Sequence, residues 1–88
     1  MSKVSFIHRR RISNGIIQNN GGQTIAFREL NNGKIEYASA LCNPKDNFSR
    51  AMGRVKAEGR LNSTRYRDTV NLSYDDFIKI NSKPIYVE

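Results

Sequence analysis

The sequence predicts an α+β fold: an antiparallel sheet, begun by a meander of three or four strands, covered by one main amphipathic helix. A short C-terminal helix and an edge strand complete it. Three observations predict this arrangement. Asn/Gly clusters at Asn14-Gly15, Asn19-Asn20-Gly21-Gly22 and Asn31-Asn32-Gly33 cut the front half into pieces of strand length. Between the clusters, apolar and polar residues alternate with a period of two. From Asn43 onward the apolar period becomes helical.

Taken in order, Val4 to Ser13 reads as a strand that ends at Asn14-Gly15, a pair suited to the positive φ angles of a two-residue hairpin. Ile16, Ile17 and Gln18 form a short return strand. Thr24 to Leu30 places Ile25 and Phe27 on one face and Thr24, Ala26 and Arg28 on the other. Lys34 to Cys42 aligns Ile35, Tyr37, Ser39 and Leu41 on one face, so these two segments form a hairpin about Asn31-Asn32-Gly33. The apolar face of the meander needs a cover, and the helix that follows supplies it.

That helix is expected over Asn43–Leu61, with Asn43 as cap, Pro44 in the first helical position and Asp46 completing the cap. At about 100° per residue, Phe48, Ala51, Met52, Val55 and Gly59 form one stripe, predicted as the inner face. Arg50, Arg54 and Ala57 point the other way, with Gly53 and Arg60 at their margin. Two glycines within a helix each cost roughly 1 kcal/mol relative to alanine. Gly59 is expected to let the helix approach the sheet closely. Gly53 either opens the basic face to an outside contact or packs beneath a loop.

Beyond the helix, Arg65 to Leu72 alternates again, with Tyr66, Val70 and Leu72 inward and Arg65, Arg67 and Thr69 outward. Ser73-Tyr74-Asp75-Asp76 is a capping-box pattern and Leu72 with Phe77 has staple spacing, which predicts a helix from Tyr74 to about Ile80. Pro84 leads into Ile85-Tyr86-Val87, a strand suited to a sheet edge. Residues 1–88 are read as a single domain without repeat or linker.

Fifteen basic residues oppose eight acidic ones, a formal net charge of +7 that favours an anionic partner. Three are compatible with it: an acidic protein surface, nucleic acid or a nucleotide ligand. The single cysteine, Cys42, excludes an internal disulfide and suits a reducing compartment. No run approaches the ~20 apolar residues of a membrane span and no signal-peptide pattern opens the chain, so a cytoplasmic protein is expected.

Catalytic machinery is sparse. With His8 the single histidine and Cys42 the single cysteine, the chain cannot assemble an ordinary zinc site from its own residues. Asp75 and Asp76 are explained by a helix cap, and Gly21-Gly22 precedes a strand, whereas phosphate loops open helices. A non-enzymatic protein without cofactor or metal is the expectation. Its candidate binding residues are the helical Arg50, Gly53, Arg54, Lys56 and Arg60, the strand pair Arg65 and Arg67, and the triplet Arg9, Arg10 and Arg11. Arginine offers bidentate donors to phosphate and carboxylate. Each position also has an ordinary structural role open to it: Asp46 with Arg50 and Arg54 with Glu58 have the four-residue spacing of surface ion pairs, and charges on an edge strand protect it against unwanted pairing.

The stretch Lys45-Asp46-Asn47-Phe48-Ser49-Arg50, followed by Gly53-Arg54 and Gly59-Arg60-Leu61, resembles a pattern in small proteins of tailed bacteriophages, K-D-x-F-x-R-x-x-G-R-x-x-A-x-G-R-L. In those proteins a strand meander precedes the helix. The resemblance covers about seventeen residues, with Lys56 and the Asn/Gly-rich front half as this chain's own features. It implies a product made in the host bacterial cytoplasm, in a class where many short single-domain proteins bind and disable a host component. The leading expectation is therefore a protein that inhibits a host defence or regulatory factor through a basic, arginine-rich surface. The alternatives are direct nucleic-acid binding and a sponge for cyclic nucleotides, the last requiring a concave pocket at a symmetric interface of a homo-oligomer.

Overall fold

A computed structural model describes residues 3–87. The fold is α+β, with elements β1 (Ser5–Arg9), β2 (Arg11–Ser13), β3 (Ile16–Ile17), β4 (Gln23–Glu29), β5 (Ile35–Leu41), α1 (Arg50–Leu61), β6 (Asp68–Val70), α2 (Tyr74–Asn81) and β7 (Ile85–Val87). Four strands make an antiparallel sheet in the order β1-β4-β5-β6, and a smaller sheet has the order β3-β2-β7. Asn14 and Gly15, at φ 52° and 77°, turn the β2–β3 hairpin as their sequence predicts. The terminal segment does take a sheet edge, with β7 lying parallel to β2.

Register divides the large sheet into two unlike faces. Phe6 opposes Ala26, which opposes Ala38, and Thr24 opposes Ala40, so one face carries mainly small side chains. On the other lie Ile7, Ile25, Phe27 and Ile35, which form a core with Phe77 of α2. Rings of Phe27 and Tyr37 approach Phe77 at 4.8 and 5.5 Å between centroids. The alanine face is instead closed by Ala57 and Leu61 of α1. The long helix was expected over the Ile/Phe face, but the short helix covers it. Phe77, placed by the Ser73 cap that accepts from Asp76 N–H at 3.2 Å, brings the bulk that face needs.

α1 also begins later and faces differently than its pattern predicts. Asn43 Oδ1 accepts from Lys45 N–H at 2.9 Å and Asn43 O from Asp46 N–H at 2.9 Å, which makes a turn of the would-be first helical residues. Cys42 Sγ fills the inside of that turn, 3.6 Å from the carbonyl oxygens of Asn43, Asp46 and Asn47. Gly21 N–H then donates to Asp46 O and Phe48 N–H to Asn19 O, tying the turn to the loop before β4. Ser49 is the cap, accepting from Met52 N–H at 3.2 Å. Helix-cap and turn chemistry are the same for asparagine, which bonds a nearby N–H in both, and here the turn wins.

From this start, Gly53, Ala57 and Leu61 face the sheet, while Ala51, Met52, Val55 and Gly59 are exposed. The inner stripe is thus reversed from the predicted one. Small side chains on β4 and β5 let the helix come close, and small residues on the helix match them. The closest approach is at Gly53, not Gly59. A Cβ at Gly53 would overlap the Thr24 hydroxyl, whereas one at Gly59 would meet nothing within 4 Å. The predicted strand over 65–72 shortens to β6, because Tyr66 and Arg67 N–H both donate to Ser63 O at 3.2 Å and turn the chain. Val70 and Leu72 still pack inward, but Tyr66 does not.

Opposite outcomes are expected for the two helical glycines. Gly53→Ala should lower unfolding stability by about 1–3 kcal/mol, since buried Thr24 has no room to yield. Gly59→Ala should raise it by about 1 kcal/mol through helix propensity alone. Denaturant unfolding of both variants measures the contrast; equal effects would mean that Gly53 does not set the helix–sheet distance.

Candidate anion-binding surface

The arginines separate by what their guanidinium groups already hold. Arg9 donates through Nε to Lys83 O and through Nη1 to Gln23 Oε1, both at 2.8 Å. Arg10 donates through Nη2 to Gln18 O at 2.9 Å and lies 4.9 Å above the Phe48 ring, with its Nε buried and unpaired. Half-buried Arg11 lays its stem against Gly21. The triplet thus stitches β1 and β2 to the loops around them, and Arg9 and Arg10 are withdrawn from the candidate surface. Consecutive arginines are usable here because the strand leaves one sheet at Arg10 and enters the other.

Arg67 is withdrawn as well. Its Nε lies 3.4 Å from Glu36 Oε2, and Arg28 holds the other oxygen at 2.6 Å. Glu36 is 9% exposed on the helix-facing side of β5, where two cations compensate its burial. Sequence spacing could not show this, because Glu36 meets Arg28 across a ladder and Arg67 from beyond the helix.

What remains lies on and around α1. Arg50, Arg54, Lys56, Arg60 and Arg65 are exposed, and among the described residues none has a carboxylate within 4.0 Å. The pairs expected from spacing, Asp46 with Arg50 and Arg54 with Glu58, are not formed. Asp46 sits in the turn before the helix and so loses its i, i+4 relation to Arg50. Gly53, expected at the margin of this basic face, points instead to Thr24.

The cations occupy two flanks. Arg60 Nη1 donates to Ser39 O of β5 at 3.0 Å. Arg50 and Arg54 lie toward β1, where they act on His8. Burial lowers the pKa of His8 below 6.5, and the positive charges of Arg50 and then Arg54 lower it further. His8 Nδ1 is hydrogen-bonded to Thr24 Oγ1 at 2.9 Å, and its ring meets Phe48 edge to face at 5.7 Å. The imidazole is therefore neutral at pH 7 and is part of the seat beneath α1. In the sequence His8 stands out only as the single histidine, too few ligands for an ordinary zinc site, and its strand position carries no signal of this role.

Between the flanks the helix exposes apolar surface, with Met52 54% and Val55 69% accessible. Met52 also borders a cleft of about 400 Å3 between α1 and the end of β5, together with Leu41, Cys42, Phe48 and Lys56. A stripe of apolar side chains edged by unpaired cations can desolvate against an apolar patch while its rim engages anions. Among the described residues, no group of three or more His, Cys, Asp or Glu side chains could hold a metal ion. Nor, among the described residues, is any helix long and apolar enough to cross a membrane.

The state of His8 gives this seat a pH dependence. The unfolded chain, titrating near 6.5, binds more protons than the folded one between its own pKa and the lower folded value. Stability is therefore full above about pH 6.5 and falls as pH drops through that window. Thermal unfolding between about pH 8 and pH 5 should show a larger loss for the wild type than for His8→Gln. Parallel curves would place the imidazole outside the linkage.

Compared with known proteins, the chain matches no family model, no curated protein and no solved structure.

Proposed function

We propose that this chain is a non-catalytic binding protein that occupies an acidic surface of a partner protein with the exposed face of α1. The observation that carries the reading is the union, on one helix, of exposed Met52 and Val55 with Arg50 and Arg54, which have no acidic partner among the described residues. Protein interfaces combine an apolar centre with a charged rim, and arginine is enriched in them. Burying Met52 and Val55 would contribute about 1.5–3 kcal/mol each, and the arginines would add direction. The helix is held rigidly from behind by Gly53, Ala57 and Leu61, so little order is lost on docking. The resemblance to tailed-bacteriophage proteins supports a host defence or regulatory factor as the partner, with inhibition by occupancy.

Affinity capture from bacterial lysate, with and without nuclease, tests the reading. Wild-type protein should retain an acidic protein in both conditions. Arg50→Glu combined with Arg54→Glu should weaken capture on the order of 100-fold, because two charge-assisted contacts become repulsive. Met52→Asp with Val55→Asp should also abolish it. Both double variants change exposed residues and should unfold near the wild-type temperature. Undiminished capture by either one would remove this face from the mechanism.

A further inference from the structure

We infer that the turn after α1 carries a second site, in which Tyr66, Arg60 and Arg65 hold single-stranded nucleic acid by stacking on a base and contacting its phosphates. The turn is fixed from within, since Tyr66 and Arg67 N–H both bond Ser63 O, and from behind, since Arg67 reaches Glu36. This turns the Tyr66 ring outward, 56% exposed. Arg60 Cζ lies 5.6 Å and Arg65 Cζ 5.8 Å from its centroid.

Two positive charges are thus gathered around one ring, and neither has a carboxylate within 4.0 Å among the described residues. An anion shared by both relieves their repulsion. Arg60 is preorganised for this role, because its single bond to Ser39 O fixes the guanidinium while leaving other N–H donors for phosphate oxygens. The ring and the guanidinium planes offer π surface to a base, and every base has a matching face. Lys56, one helical turn before Arg60, extends the positive track on the same flank.

A duplex keeps its bases stacked inside and cannot use Tyr66, so single strands fit better. The site lies on the β5 side of α1, away from Arg50 and Arg54 beside β1, and it goes beyond the docking face proposed above.

Fluorescence anisotropy tests it with labelled oligo-dT and oligo-U of about 12 nucleotides, a duplex of equal length and an abasic phosphodiester chain, at about 50 mM salt. Single strands should bind more tightly than the abasic chain. Tyr66→Ala should weaken them at least about fivefold, while Tyr66→Phe stays within about twofold of wild type. Arg65→Gln should reduce the salt slope by about one. Arg50→Glu with Arg54→Glu should lower affinity through net charge yet preserve the preference for bases over the abasic chain. Absence of binding overturns the inference. So does equal binding of abasic and base-bearing chains, or equal affinity of wild type and Tyr66→Ala.

Discussion

Where α1 crosses β4, Gly53 presents bare backbone to the Thr24 hydroxyl, and this contact sets how near the helix lies to the sheet. The rest of the molecule follows from it. With Gly53 inward, Ala57 and Leu61, four and eight residues further along, must also face the sheet, and Ala26, Ala38 and Ala40 meet them. Met52 and Val55 are then turned to solvent. Thr24 is hydrogen-bonded to His8, so the same seat couples helix, sheet and the neutral imidazole. Close packing of small groups makes such a junction intolerant of even one methyl group.

That seating also sorts the positive charge. Arginines in or directly beside the strands act as internal braces: Arg9 and Arg10 bond main-chain oxygens, while Arg28 and Arg67 compensate Glu36. Those on the helix, with Arg65 of the following turn, have no carboxylate partner among the described residues. Net charge is thus a poor guide to where unpaired cations lie. Position relative to the sheet decides which guanidinium groups are available.

Much of the fold was legible from local chemistry. Asn-Gly and Asn-Asn-Gly turns, period-two alternation in β4 and β5, and the Ser73 cap are encoded within a few residues, and each folds as its sequence predicts. The inward face of α1 was not legible. Hydrophobic periodicity points the most apolar stripe at the core, but the sheet face is lined with alanine and takes Gly53, Ala57 and Leu61 instead. Likewise Tyr66 lies in an alternating stretch, yet two N–H groups converging on Ser63 O override the alternation. Of the candidate residues, Arg50, Arg54, Lys56, Arg60 and Arg65 keep exposed side chains. The fates of Arg9, Arg10 and Arg67 depended on partners distant in sequence.

The parallel pairing of β2 with β7 joins segments far apart in the sequence, with Arg11 beside Ile85 and Ser13 beside Val87. Such a contact carries a loop-closure cost, because the residues between the two strands must be ordered before they can meet. During synthesis the β2–β3 hairpin therefore emerges from the ribosome with one edge bare, and stays so until β7 follows. The small sheet works as a latch that closes only once β7 has been added.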